Sequence, residues 1–188
     1  MPLIARTPRE AFQTFQDHLN RILNKVLPRS RLSFFVRNAK QEKTALAFSD
    51  SRQESIAIPL RSLGWYLSLR QDLQAFPEGQ GYMLRTLQYA YRIQRTRSVR
   101  DEAEVRFEYV SPEIDPEFPY SRHHVQSHRA FQDVREGFAL NKLHLPTGGV
   151  TIEHVIRFLI ADLDVPPLTE RWQDELRESE KISQEWLS

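Results

Sequence analysis

Hydrophobic residues recur every three or four positions in three segments of the chain, a spacing typical of helices with one buried face. The first segment follows a capping box, in which Thr7 is the N-cap and Glu10 is its partner. The other two segments follow Thr151 and Thr169, residue types that favour helix starts. Pro28 ends the first helix, because the residue before a proline disfavours helical dihedral angles. The pattern therefore predicts one helix near the N-terminus and two near the C-terminus.

A fourth helix or helical turn is predicted from about Leu60 to Ala75. This interpretation depends on apolar residues spaced by four, Leu63 with Leu67 and Leu69 with Leu73. The glycine-containing run at 77–81 would end it.

Seven short segments are instead rich in β-branched, aromatic and aliphatic residues, alternate with polar ones, and are separated by turn residues. No regular strand–helix–strand alternation is present, so a doubly wound parallel sheet is not favoured. The sequence predicts an α+β fold with an N-terminal helix, a largely antiparallel sheet of six or seven strands, helices packed on one face, and a C-terminal helix. We expect residues 1–165 to form a single domain and residues 166–188 to form a helix docked on that domain or on a partner. The predicted strands are Leu32–Arg37, Thr44–Ser49, Ser55–Leu60, Tyr82–Gln94, Glu104–Val110, Ser121–His128 and Asn141–Pro146.

Composition narrows the chemistry and the location. The chain has no cysteine, which excludes disulfides, thiolate metal sites and cysteine nucleophiles. It begins without the apolar core of a signal peptide and has no apolar run of about 20 residues, so we expect a cytoplasmic protein with no membrane partner. Residues 1–100 carry 17 Lys and Arg against 7 Asp and Glu, whereas residues 101–188 carry 9 against 18. Either a basic surface meets nucleic acid, or the opposite charges meet across the fold.

Histidine is the most informative residue type, because its unperturbed pKa lies near neutrality. Five of the six histidines fall within 32 residues. If the segment around them is extended, Arg122, His124, Gln126 and His128 share one face and His123 lies on the other. The five histidines are His123, His124, His128, His144 and His154.

Two histidines and an arginine are sufficient for ribonuclease-type chemistry. One imidazole removes the 2′-hydroxyl proton, the second protonates the leaving oxygen, and a guanidinium from Arg122 or Arg106 holds the phosphate. Neither a metal nor another cofactor is required. The candidate catalytic residues are Arg122, His123, His124, Gln126, His128 and His144.

Two other uses of these histidines remain open. A metal site is one, although His124 and His128 lie about 13 Å apart along a strand, too far for one ion. His124 with His144, completed by Glu108 or Glu153, is geometrically easier. The other is purely structural, with one ring packed and one solvated in an ordinary sheet.

Arginines and tyrosines are also interleaved along the chain from 85 to 106. Such a pattern is typical of surfaces that hold phosphates and stack bases, but it equally fits a solvated hairpin loop. The candidate nucleic-acid-binding residues are Arg85, Arg92, Arg95, Arg97, Arg100, Arg106, Tyr89 and Tyr91.

Four motifs occur in an order that resembles small bacterial toxin–antitoxin proteins of the TumE-like group. They are Phe107-Glu-Tyr109, Arg122-His-His-Val-Gln126, Leu143-His-Leu-Pro146 and the predicted helix from Val150 to Ile160. The resemblance covers residues 82–163. It implies a two-component system with a neighbour-encoded DNA-binding antitoxin as partner, and functional roles for His123, His124, Gln126 and His144.

The leading hypothesis is therefore a bacterial toxin-like protein, a metal-independent ribonuclease, that acts on RNA or another phosphate-bearing target by histidine-based acid/base chemistry. The alternatives are a non-enzymatic interaction or nucleic-acid-binding module of a two-component system and a metal-dependent hydrolase.

Overall fold

A computed structural model describes residues 5–27, 32–38, 42–52, 54–60, 64–117, 122–127 and 148–186. These residues form three helices and seven strands. The elements are α1 (Pro8–Val26), β1 (Leu32–Asn38), β2 (Lys43–Phe48), β3 (Ile58–Leu60), β4 (Trp65–Glu78), β5 (Gly81–Gln94), β6 (Val105–Val110), β7 (His123–Ser127), α2 (Ile152–Ala161) and α3 (Trp172–Trp186).

Every strand pair in the sheet is antiparallel, and the spatial order is β1-β2-β4-β5-β6-β7. The short strand β3 pairs with the beginning of β4, beside the part of β4 that pairs with β2. The predicted α+β fold with a largely antiparallel sheet is confirmed. The predicted strand Asn141–Pro146 lies outside the described residues.

The helix predicted from Leu60 to Ala75 is wrong, because β4 occupies residues 65–78 as an extended strand. Leu67, Leu69 and Leu73 are all buried on one face of that strand, and Gln71 is buried between them. Apolar residues four positions apart lie on one face of a helix, and they also lie on one face of a strand, because four positions are two periods of its alternating pattern. The shorter spacing of two, from Trp65 through Leu67 and Leu69, was the discriminating signal.

The hairpin of β4 and β5 is the longest element of the sheet, with 14 residues in each strand. Gly79 adopts a φ of 56° in its turn, a conformation that glycine takes without steric cost. The pairing register then steps from Asp72–Gln88 to Leu73–Thr86, so Leu87 is an extra residue in β5. This bulge allows Thr86 and Tyr89, three residues apart, to lie on the same side of the sheet as Gln71.

The three helices provide the other half of the core. Phe15 from α1, Leu159 from α2 and Leu176 from α3 are each almost completely buried in the same hydrophobic cluster as the sheet residue Phe107. The ring of Phe107 meets that of Phe158 edge to face, with centroids 5.7 Å apart. Among the described residues, none of the helices is long and apolar enough to cross a lipid bilayer.

The C-terminal helix α3 packs against α1 and α2 of the same chain. An ion pair joins Lys25 Nζ to Glu175 Oε2 at 2.8 Å. A second joins Arg157 Nη2 to Glu180 Oε2 at 3.1 Å. The first of these pairs joins the basic half of the chain to the acidic half, as one of the two interpretations of the charge distribution expected, whereas both members of the second pair belong to the acidic half.

Candidate functional site

Strand β7 places its two adjacent histidines on opposite sides of the sheet. It pairs with β6 so that His124 lies beside Glu108 and His123 lies beside Tyr109. The side of the sheet away from the helices we call the polar face. It carries Arg106, Glu108, His124 and Gln126, as the alternation in the sequence predicted.

Glu108 is the centre of the polar face. Its Oε2 atom lies 3.1 Å from His124 Nε2 and 3.1 Å from Arg106 Nε. Arg106 also donates from Nη2 to Gln126 Oε1. The His124 and Glu108 side chains are only 13% and 21% exposed, so the contact is shielded from solvent but open on one side.

The contact also orients the His124 ring. When Nε2–H donates to the carboxylate, the neutral ring keeps its lone pair on Nδ1. One acid and one base then lie within a single hydrogen bond of each other, and a guanidinium touches the same carboxylate oxygen. Such a group can transfer protons and stabilise negative charge.

Further cations lie along the same face. Arg92 pairs in register with Arg106, and Arg70 is separated from Glu108 by the small residue Ala90. Arg70, Ala90 and Glu108 line a depression of about 380 Å³. Because alanine fills so little space, the floor of this depression is backbone and a methyl group.

Arg70 is itself oriented by an acidic neighbour. Its Nε lies 3.1 Å from Asp72 Oδ1. The Asp72 Oδ2 atom accepts a hydrogen bond of 2.6 Å from Gln88 Nε2. The Arg70 side chain remains 43% exposed, so it can still meet an anionic ligand.

His123 faces the helices. The hydroxyl of Tyr89 accepts a hydrogen bond of 3.0 Å from the Val150 amide and lies 3.2 Å from His123 Nδ1. When that hydroxyl donates to Nδ1, the neutral imidazole carries its proton on Nε2. Burial lowers the pKa of His123, and it raises the pKa of Tyr89 to about 12. His123 is thus bonded to Tyr89 on the helix side and stacked on Tyr109 with ring centroids 4.4 Å apart.

Arg122 anchors a loop. Its guanidinium donates to the carbonyl oxygens of Asp115 and Pro116, at 2.5 and 3.0 Å. These bonds hold the proline-rich segment that precedes β7. Of the two arginines proposed to hold a phosphate, Arg106 is the one that the structure brings to the histidine.

Tyr89 and Tyr91 do not form a base-stacking surface. Both rings are buried, stacked on each other with centroids 4.7 Å apart, on the side of the sheet opposite Arg92 and Arg106. The alternation of β5 explains this, because tyrosines and arginines in alternate positions point to different sides. The alternation of arginines and tyrosines along β5, which indicated a nucleic-acid-binding surface, therefore puts the arginines on one side of the sheet and the tyrosines on the other.

The remaining arginines of that set are distributed around the sheet. Arg85 Nη1 pairs with Glu113 Oε1 at 2.5 Å, and Arg95 Nε pairs with Glu104 Oε1 at 2.7 Å. The Arg92 guanidinium donates to carbonyl oxygens of the hairpin loop that follows β5. Arg97 and Arg100 are exposed in that loop.

The other clustered histidines do not join the polar face among the described residues. His154 lies on α2, where its Nε2 is 2.8 Å from Glu180 Oε1. His128 and His144 lie outside the described residues. Within the described ranges, no group of three or more histidine and carboxylate side chains is arranged to hold a metal ion.

The sequence interpretation missed a second feature, a cavity between the sheet and the helices. Glu153 in α2 lines it and is completely buried. A signal was present, since Glu153 falls three residues before the buried Ile156 on a helix that is otherwise apolar on that side.

No protein-family model matches the chain, and neither the curated proteins nor the solved structures give a significant match.

Proposed function

We propose that this protein cleaves RNA on its polar face, with Glu108 and His124 as the acid/base pair and Arg106 as the stabilising cation. The observation that carries the proposal is the shared oxygen: Glu108 Oε2 lies 3.1 Å from both His124 Nε2 and Arg106 Nε. An acid, a base and a guanidinium in contact are the groups that transphosphorylation requires.

In the proposed reaction, Glu108 removes the proton from the ribose 2′-hydroxyl. The 2′-oxygen attacks phosphorus, the bond from phosphorus to the 5′-oxygen breaks, and protonated His124 gives its proton to that leaving oxygen. The products are a 2′,3′-cyclic phosphate and a 5′-hydroxyl, so atoms and charge balance. In the free protein the two groups bond to each other, and the substrate phosphate must separate them.

The electrostatics of the polar face support an anionic substrate. The cations Arg70, Arg92 and Arg106 lie on this face together with the carboxylates Asp72 and Glu108. Arg106 touches the carboxylate that would accept the proton, which places it near the charge that develops on the phosphate oxygens. Removing a comparable preorganised donor in other enzymes costs about 10²–10³ in rate.

The toxin role is supported by the resemblance to the TumE-like group. In that setting the protein acts in the bacterial cytoplasm, where its RNA target is found, and a neighbour-encoded DNA-binding antitoxin blocks it. Expression of the chain alone should then arrest growth, and co-expression of the neighbouring gene should restore it.

One alternative function has a specific observation in its favour. The loop after β5 exposes Arg97 and Arg100 next to Arg95, which is the arrangement expected of a non-catalytic RNA-binding module. Such a module would bind RNA in a salt-dependent manner and leave it intact.

The decisive experiment is cleavage of a fluorogenic RNA oligonucleotide and of its 2′-deoxy counterpart, with and without EDTA. We expect the RNA alone to be cut, with a 2′,3′-cyclic phosphate detected by mass spectrometry and no effect of EDTA. Glu108→Gln and His124→Asn should each lower the rate by about 10²–10⁴-fold, the usual contribution of one acid/base group.

The His154–Glu180 pair provides a matched control, because it joins the same two side-chain types at 2.8 Å elsewhere in the fold. Glu180→Gln and His154→Asn should retain full activity. Equal activity in all four variants, or binding of RNA without any product, would exclude the proposed catalysis, and the second result would favour the binding module.

A further inference from the structure

A cavity of about 490 Å³ lies on the helix side of the sheet, between β4, β5 and the three helices. Its walls include Phe15, Leu19 and the stacked tyrosines Tyr89 and Tyr91. Its size and its mixture of apolar, aromatic and polar lining residues are those of small-molecule sites. Glu108 and His124 do not line it, so the inference drawn from this cavity does not rest on the proposed RNA cleavage.

Three residues of the cavity wall have a buried polar atom without a hydrogen-bond partner among the described residues: Arg85 at Nε, Ser111 at Oγ and Glu153 at Oε2. Of these three atoms, only the Glu153 oxygen belongs to a carboxyl group. Glu153 is completely buried, and its Oε1 atom accepts hydrogen bonds from Ser179 Oγ at 2.6 Å and Ser183 Oγ at 2.7 Å. Its Oε2 atom has no hydrogen-bond partner among the described residues. A buried carboxylate oxygen without a donor is costly, and native proteins supply one from a side chain, a water or a ligand.

The partners of Glu153 are neutral. Ser179 gives its only hydroxyl proton to Glu153, so His18 Nε2–H, 3.0 Å away, must donate to Ser179 Oγ. Burial lowers the pKa of His18, and this effect is larger than the increase caused by the negative charge of Glu153. This chain of hydrogen bonds therefore orients the carboxylate without neutralising it.

The charge of the arginine in the cavity lining, Arg85, is paired with that of Glu113, another lining residue. Arg85 pairs with Glu113 Oε1 at 2.5 Å and donates to Gln74 Oε1 at 3.0 Å. The cavity thus presents a carboxylate whose charge is not balanced by its immediate neighbours.

Three other polar side chains of the cavity bond to one another. Tyr91 donates to Gln71 Oε1 at 3.3 Å, and Gln71 Nε2 donates to Thr86 Oγ1 at 2.9 Å. Glu153 Oε2 remains a buried carboxyl oxygen that needs a donor. The ligand chemistry that complements it is a positively charged N–H group on an apolar or aromatic body.

We propose that this cavity binds a small organic cation, of the amidinium or guanidinium class, whose N–H groups donate to Glu153 Oε2. A planar cation suits the carboxylate because paired N–H and carboxylate groups form strong, charge-assisted hydrogen bonds. The aromatic walls favour a cation further, since the face of a tyrosine ring attracts positive charge.

The test is isothermal titration calorimetry of the full chain with three probes of nearly the same shape: benzamidine, benzamide and benzoate. We expect benzamidine to bind saturably at one site, benzamide to bind at least about tenfold more weakly, and benzoate not to bind. Agmatine, which carries a guanidinium on an aliphatic chain, should also bind.

Glu153→Gln should remove the preference for benzamidine over benzamide, whereas the control Glu180→Gln on α3 should keep it. Circular dichroism checks the fold of each variant, and the probe series on the unmodified protein decides the question if Glu153→Gln does not fold. Equal affinity for the three probes, or no saturable binding of benzamidine or agmatine, overturns the proposal and leaves a water or a bound proton as the partner of Oε2. Binding unchanged by Glu153→Gln in a folded protein overturns it as well.

Discussion

The two sides of the sheet use similar residues in opposite ways. On the polar face, His124 and Glu108 form a partly exposed hydrogen-bonded pair with Arg106 beside them. On the helix side, His123 bonds to the Tyr89 hydroxyl, and Glu153 is buried among serines. The environment, not the residue type, decides which group can exchange protons with a solvent-borne substrate.

The largest expected effect is a difference in activity between variants of the two adjacent histidines, His123 and His124. His124→Asn should lower RNA cleavage by about 10²–10⁴-fold, because it removes the proton donor. His123→Asn should leave the rate per folded molecule within a few-fold and lower stability instead, by about 1–3 kcal/mol, since Tyr89 loses a part-buried hydrogen-bond partner. Single-turnover kinetics well below the melting temperature measure the first effect, and urea unfolding measures the second. An equal loss of activity in both variants would contradict the separation of the two sides.

A second prediction compares adjacent residues of β6. Phe107→Ala should destabilise the fold by about 3–5 kcal/mol, because Phe107 is completely buried against Phe158. Glu108→Gln, one residue further along on the polar face, should cost about 1 kcal/mol or less. Chemical denaturation of both variants provides the measurement. Similar losses would mean that the polar face is part of the core.

The third prediction concerns pH. Burial lowers the pKa of His18 and His123 in the folded state below the value of 6.5 expected in the unfolded chain. The unfolded chain therefore takes up protons first as the pH falls, so these residues favour the folded state above pH 6.5 and that contribution is lost as the pH falls through the folded pKa values. Melting temperatures recorded from pH 8 to pH 5 should decline below about pH 6.5, and less steeply in His18→Gln. A flat profile would show that neither ring is held neutral.

The smallest effect is expected at Arg70, on the polar face. Arg70→Ala should change stability by less than about 1 kcal/mol, because the Arg70 side chain is 43% exposed and Asp72 keeps its hydrogen bond from Gln88. RNA binding should weaken, and the slope of log affinity against log salt should become shallower by about 0.7, the value for one phosphate contact with a single strand. Fluorescence anisotropy at several salt concentrations tests this. An unchanged slope would place the RNA away from the depression beside Ala90.

The side of the sheet on which each β7 side chain lies could be predicted from the sequence. The residues that meet on the helix side of the sheet could not. Alternation alone put His124 and Gln126 on one side and His123 on the other, and neighbouring strands then placed Arg106 and Glu108 beside the first pair. The cavity escaped prediction because its parts come from β4, β5 and the helices. Gln71 was hidden further by the helix wrongly assigned to its segment.

Sequence alone determined the three helices with strong local periodicity, the hairpin of β5 and β6, and the sides of β7 on which His123 and His124 lie. These depend on the backbone geometry of a few neighbouring residues, which a short pattern encodes. Tertiary structure alone decided that Glu108 links His124 to Arg106, that Arg122 anchors a loop, and that Glu153 is buried without a full set of donors. Such relations join residues distant in the chain, and their energies depend on distances and burial that exist only once the sheet and helices have packed.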